Sequence, residues 1–296
     1  MNMWLVGAGY WGSKLLSGLN KLGINGQVID IKNGQTIDDI NDKGPVMLAT
    51  PLWEHFGQTM ELLSRGHDVY VEKPAAETVP EIVKMSAMLQ EDQLLMVGHI
   101  FIHHPQLKEI KDLIATGSIG DLQHITSRRL NWGIYQTRTT PVLSLAAHDI
   151  SIILDVCGND ANIYDAHGYA YSKNVQFDRV LFRGVAGGIT FDVDVSWTWP
   201  VRTRETIFHG TVGQIVWDQD ANTVTLCKNH IANNRAVADT GPVVSAYHWD
   251  LSPLECELKH WVDCVTTRTQ PTTGINSAYH VARLIDQVHT SIGRSL

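Results

Sequence analysis

Met3-Trp4-Leu5-Val6-Gly7-Ala8-Gly9-Tyr10-Trp11-Gly12-Ser13-Lys14-Leu15-Leu16 is the stretch that decides how the chain is read. A short apolar run, Trp4 to Val6, meets three glycines at G-x-G-x-x-G spacing, and an amphipathic segment with Leu15, Leu16, Leu19 and Leu22 follows. That order predicts a strand, a tight turn and a helix. Gly7 lets the chain turn, Gly9 removes a side chain where a pyrophosphate approaches, and Gly12 lets the helix pack closely on the strand. The helix start then offers free N–H groups and a positive dipole end to a phosphate. The same spacing also occurs in turns that hold no ligand, so the surrounding sequence matters.

After Gly23, placed as the residue just past a helix end, Val28-Ile29 runs into Asp30, 18 positions beyond Gly12. The dinucleotide fingerprint asks for an acid roughly 20 positions on, at the end of the second strand, to take hydrogen bonds from the adenosine ribose. Asp30 favours NAD over NADP, because its carboxylate repels a 2′-phosphate. Lys32, two residues later, keeps NADP open as the less favoured cofactor.

With 296 residues the length suggests about two domains. The net charge of −8, from 23 basic and 31 acidic residues, argues against a nucleic-acid or anionic-membrane surface and points to small-molecule partners. The four cysteines, Cys157, Cys227, Cys256 and Cys264, show neither C-x-x-C nor zinc spacing and read as reduced thiols. No signal core and no membrane-length apolar run is present, so the expected location is the cytoplasm.

Strands and helices alternate through the first hundred residues. Residues 45–50 read as a strand, 68–71 as another ending at Glu72-Lys73-Pro74, and 94–97 as a third. Thr78-Val79-Pro80-Glu81 is a capping box opening a helix to about Gln90. This predicts an α/β fold with a mainly parallel, Rossmann-type sheet over residues 1–98. Beyond Gly98 come a helix from His104-Pro105, a strand over 121–132, a helix over 143–156, and strand-like runs at 163–171, 176–182, 189–199, 204–209, 214–217 and 223–226. Two terminal helices follow, the first opening at the capping box Ser252-Pro253-Leu254-Glu255. Residues 99–296 are therefore read as an α+β domain with an open, mostly antiparallel sheet, expected to bind substrate and to form a homo-oligomer, dimer or tetramer, through its uncovered face. Val193, Val195, Trp197 and Trp199, spaced two apart, line either that face or the core beneath the helices.

Gly7-Ala8-Gly9-Tyr10-Trp11-Gly12, Ala49-Thr50-Pro51 with His55, Glu72-Lys73-Pro74, Val97-Gly98-His99 and His148-Asp149 resemble, in order and spacing, the Gfo/Idh/MocA family of dinucleotide-dependent sugar oxidoreductases. Val97 to Phe101, Ser127 to Gly133 and His148 to Ser151 look most like its nucleotide-sugar dehydrogenases, which oxidise a hydroxyl on a UDP-linked N-acetylhexosamine or its uronate. The resemblance implies that Lys73 and His148 are catalytic. Lys73 would hydrogen-bond the reacting hydroxyl and stabilise its oxyanion, and His148 would be the general base, as suits a side chain titrating near neutrality. It implies cofactor contacts at Gly7, Gly9, Tyr10, Trp11, Gly12, Asp30, Thr50, Pro51, His55, Glu72 and Lys73. Substrate contacts would fall at Lys73, Arg129, Asn131, Arg138, Ser144 and His148. Adjacent His103-His104, without further spaced ligands, does not predict a metal.

One departure bears on the chemistry. Many dehydrogenases of the family carry an aspartate four residues before the histidine, where this chain has Ser144. Either Asp149 or Asp155 compensates, or His148 is a weaker base and Lys73 carries more of the proton transfer, or the activity is lost. The asparagine usual before the proline at the start of the second domain is His104. The expected function is a hydride-transferring sugar oxidoreductase. Its rivals are a non-catalytic dinucleotide-binding sensor or scaffold, and a reductase of another carbonyl or imine.

Overall fold

The computed structural model describes residues 2–293, apart from 134, 137, 174, 229, 233, 238, 239 and 247–249. Two compact units divide the chain: Met1–His104 with Leu251–Arg283, and Pro105–Asp250 with Leu284–Leu296.

The first unit opens with β1 (Asn2–Val6), α1 (Tyr10–Lys21) and β2 (Asn25–Ile29), then β3 (Val46–Leu48), α2 (Leu52–Ser64), β4 (Val69–Glu72), α3 (Val79–Met88) and β5 (Leu95–Gly98). The strands pair in the order β2-β1-β3-β4-β5, all parallel. Each strand from β3 to β5 is buried along its whole length, which explains why these segments read as unbroken apolar runs. Thr78 and Glu81 form the expected capping box of α3. By contrast Gly9, the cap residue of α1, makes no side-chain cap, so the first N–H groups of that helix are left for something else.

The second unit holds α4 (Pro105–Ala115), β6 (Leu122–Trp132), α5 (Ala147–Cys157), β7 (Ala161–Tyr169), β8 (Arg179–Ala186), β9 (Ile189–Ser196), β10 (Thr198–Gly210), β11 (Gln214–Asp218) and β12 (Thr223–Cys227). Three strands that the sequence does not predict follow, β13 (His230–Ala232), β14 (Arg235–Val237) and β15 (Thr240–Ala246). The large sheet runs β15-β12-β11-β10-β6-β9-β8-β7, antiparallel except for the β6–β9 pair. The chain ends in α6 (Pro253–Thr267) and α7 (Ile275–Ser291).

Three sequence expectations shift. The compact units do not follow the 98/99 division, because α6 carries Leu258, Trp261 and Cys264 into one apolar cluster with Met3, Leu5, Leu15 and Leu19 of the first unit. The expected strand at 176–182 lies instead at β8, which runs on to Ala186 and turns through Gly187 and Gly188, both with positive φ. The run at 189–199 breaks at Trp197, between β9 and β10. Val193, Val195 and Trp197 are at most 2% exposed, so they are core and not the open face. The alternate residues carry ion pairs instead: His124 with Asp192 at 2.6 Å, Arg179 with Asp194 at 2.6 Å, and Arg128 with Glu205 at 3.9 Å.

Candidate active site

The glycine turn has the geometry its spacing predicts. Gly7 has φ +93°, and a Cβ there would meet the Ala49 carbonyl oxygen at 2.8 Å. A Cβ on Gly12 would lie 1.9 Å from the Gly7 carbonyl oxygen, so α1 sits too close to the turn for any side chain. A Cβ on Gly9 would meet nothing within 4 Å, which leaves open space where a ligand backbone approaches. Beside the turn is a cavity of about 610 Å³, lined among others by Gly7, Gly9, Asp30, Lys32, Thr50 and Pro51. Asp30 stands just past β2 with its carboxylate fixed by the backbone N–H groups of Ala8, at 3.2 Å, and Lys32, at 2.9 Å. Thr50 Oγ1 donates to Gln58 Oε1 at 2.7 Å.

His55 and Glu72 are tied to the protein itself. The His55 ring is buried between the carbonyl oxygens of Pro74 and Thr50, at 2.8 and 2.9 Å, and so fixes those two loops relative to each other. Burial pushes its pKa down, opposed by both carbonyls and assisted by the Lys73 charge. Glu72 accepts from the Trp11 indole, from Tyr70 Oη at 3.0 Å and from the Lys73 amide at 3.3 Å. Burial raises its pKa against these donors and the Lys73 cation. Trp11 is therefore committed inward, whereas Tyr10 is 80% exposed under the Lys14 ammonium, 4.5 Å from its ring centroid. Lys73 follows β4 directly, is half-buried, and precedes a cis Pro74.

In the second unit a π-type turn, Val142–Ala146, carries Ser144 and leads into the first turn of α5, where His148 lies half-buried. Such turns are rare and cluster at functional positions. Ser144 Oγ donates to the Thr140 carbonyl at 3.0 Å and accepts from the Trp197 indole at 3.2 Å. Both acids named as substitutes for the missing aspartate are engaged elsewhere. Asp149 accepts from Arg129 Nε and Nη2, each at 3.0 Å, and from Ser127 Oγ at 2.8 Å. Asp155 pairs with Lys111 at 2.9 Å.

The Arg129 fork is thus a buried structural ion pair, with a further bond to Gln219 Oε1 at 3.0 Å, and the expectation that it holds substrate is corrected. Arg129→Met would leave Asp149 buried beside a single hydroxyl. We expect a loss of about 3–5 kcal/mol, read as a thermal midpoint lower by roughly 10 °C, with Arg129→Met/Asp149→Leu recovering most of it. Asn131 Oδ1, by contrast, is buried with no hydrogen-bond partner among the described residues, and Arg138 is exposed. Sequence reasoning missed Tyr70 and Glu257, and it placed His99 within a motif without giving it a role. Both His99 ring nitrogens are buried with no hydrogen-bond partner among the described residues. Among the described residues no group of three or more His, Cys, Asp or Glu side chains is arranged to hold a metal, and no helix is long and apolar enough to cross a membrane.

Over nearly the whole chain the structure matches UDP-N-acetylglucosamine 3-dehydrogenase of Acidithiobacillus ferrooxidans, with TM-score 0.81 at 16% identity, covering 99% of this chain and 97% of that one. A 3-ketoreductase of Actinomadura kijaniata, solved with TDP-benzene and NADP, matches with TM-score 0.82 at 15% identity, covering 98% and 97%. The chain shares the fold of these solved structures. The sequence relatives match in part. A 1-carboxy-3-chloro-3,4-dihydroxycyclohexa-1,5-diene dehydrogenase of Comamonas testosteroni is 26% identical over 169 residues, 49% of this chain and 41% of that protein. A 2,7-anhydro-N-acetylneuraminate hydratase of Mediterraneibacter gnavus is 28% identical over 147 residues, 43% and 39%. The matched part spans about two fifths of these relatives' length. No protein-family profile matches the chain.

Proposed function

We propose that the chain is an NAD-dependent sugar oxidoreductase acting on a hexose or hexuronate, most plainly one carried on a nucleotide. The observation that carries this is the glycine turn with its open Gly9, uncapped helix start and backbone-fixed Asp30 around one cavity. These residues fit a dinucleotide: the open side of Gly9 and the α1 start would take the pyrophosphate, with Gly7 and Gly12 shaping the turn, and Asp30 would take the ribose hydroxyls. When bound, the nicotinamide supplies the two-electron acceptor for a secondary alcohol. Enzymes named for sugar and nucleotide-sugar chemistry share the fold, which supports the substrate class.

Lys73 would hold the reacting hydroxyl and stabilise its oxyanion, with Asn131 and Arg138 orienting the sugar and His148 taking the proton. Asp149 and Asp155 are engaged elsewhere, so neither is the group that polarises His148. A homo-oligomer through the ion-paired face of the large sheet goes with this reading.

The test is absorbance of reduced nicotinamide when NAD is mixed with UDP-hexosamines, their uronates, free sugars and inositols. Turnover with one of them supports the proposal. Tight NADH binding with no turnover, followed by oxidation in Ser144→Asp, would favour the sensor reading instead. Asp30→Ser should move the NADH/NADPH affinity ratio toward NADPH by about tenfold, since it removes one charge beside the 2′ position. An unchanged ratio would take Asp30 out of cofactor choice.

A further inference from the structure

Two carboxyl groups share one phenol inside the first unit. Tyr70 Oη lies 3.0 Å from Glu72 Oε1 on its own strand and 3.1 Å from Glu257 Oε2 on α6. Tyr70 and Glu257 are fully buried, and Glu72 is 8% exposed. Gly98 makes the room, because a Cβ there would stand 2.4 Å from Tyr70 Oη and 3.0 Å from Glu72 Oε1.

A phenol has one proton to donate, so it satisfies one of the two acids. Two ionised carboxylates meeting at one hydroxyl in a dry interior repel strongly, and one of them must hold a proton. The partners decide which. Glu72 also receives the Trp11 indole N–H and the Lys73 amide, beside the Lys73 cation. Among the described residues Glu257 has no such help, and its Oε1 is buried without a hydrogen-bond partner. The proton therefore sits on Glu257, which donates to Tyr70, which donates to Glu72.

We propose that Glu257 is a neutral carboxylic acid at neutral pH and a positioning residue, passing a hydrogen bond through Tyr70 that fixes the Glu72 carboxylate between Trp11 of the glycine turn and the Lys73 strand end. Burial, and then the negative charge of Glu72, push the Glu257 carboxyl well above the ordinary carboxylate range. The titratable or charged groups facing this chain are Tyr70, Glu72 and Lys73 after β4; the indoles around it, Trp11 of α1 and Trp261 of α6, carry no charge. The effect on the cofactor turn rests on the oxidoreductase reading, whereas the proton on Glu257 does not.

The first readout is the infrared difference spectrum of wild type minus Glu257→Gln at neutral pH. A protonated-carboxyl band that shifts on ¹³C-glutamate labelling and vanishes in the variant is expected. Its absence in labelled wild type overturns the proposal, even if Glu257→Gln fails to fold. The second is unfolding between about pH 6 and pH 8, where the unfolded chain has released this proton and the folded one keeps it. Relative to Glu257→Gln, the wild-type unfolding constant should rise about tenfold per pH unit. Parallel curves overturn the assignment. The third is NADH titration, in which Tyr70→Phe should weaken binding about tenfold. Glu257→Gln, whose amide still donates to Tyr70, should stay within about threefold. Unchanged affinity in Tyr70→Phe overturns the positioning role. A wild type that fails to bind NADH overturns it together with the oxidoreductase reading and leaves the infrared result standing.

Discussion

Lys73→Ala should lower turnover by about a thousandfold while NADH affinity stays within about threefold. The size follows from how little else near β4 can act on a reacting hydroxyl. Glu72 is held by three donors and His55 by two carbonyls, so neither is placed to give or take a substrate proton. In the second unit, Asp149 is locked to Arg129 and Asp155 to Lys111. On the proposed reading Lys73, directly after β4, brings a positive charge to the developing alkoxide, and such stabilisation is usually the largest single contribution to catalysis. Lys73→Arg keeps the charge but not the compact donor and should recover little. Turnover of Lys73→Ala within a few-fold of wild type would remove Lys73 from the mechanism. A matching loss of NADH affinity would make it a cofactor residue only.

The glycine turn was legible because its physics is local: Gly7, Gly9 and Gly12 meet their constraints within one turn and two neighbouring strands. Lys73 was legible for the same reason, as a residue ending a buried strand. What the sequence hid was pairing at long range. Arg129 looks like a free fork beside a catalytic histidine, and nothing in its neighbours says that Asp149, 20 positions later, fills it. Glu72 and His55 sit in motif positions, yet their partners Trp11, Tyr70 and Pro74 turn them inward. The apolar stripe of α6 predicts a buried helix face but not the sheet that it covers, and so the return of Leu251–Arg283 to the first unit was missed. The short strands β13 and β14 hold three residues each, too few to show an alternation.

Mild acid should unfold the protein well before its carboxylates protonate. His99, His103 and His104 follow β5 in one short stretch, and burial pushes them down to about 3, about 3 and about 4. The Lys73 charge adds to the effect on His99, and His260 and His99 add to it on His103. The folded state keeps all three neutral, while the unfolded chain binds protons from about pH 6.5 downward. The native state therefore holds fewer protons, and stability is lost as pH falls through that window, down to the folded values. Each histidine contributes about 1.4 kcal/mol per pH unit below its unfolded value, hence about 2 kcal/mol at pH 5. Three of them remove roughly 6 kcal/mol, against a typical total of about 5–15 kcal/mol. The thermal midpoint should peak near about pH 6, falling above it as the unfolded chain sheds the Glu257 proton and falling below it as the unfolded histidines charge, with His104→Asn and His99→Asn each making the acid fall shallower by about one proton. A wild type whose midpoint is unchanged at about pH 5 would mean that these imidazoles find protons or partners in the folded state. The same measurement separates two causes of an acid loss of activity. Loss of turnover with the circular dichroism signal intact would point to a group of the chemistry itself, whereas charging of the β5 histidines would take both together.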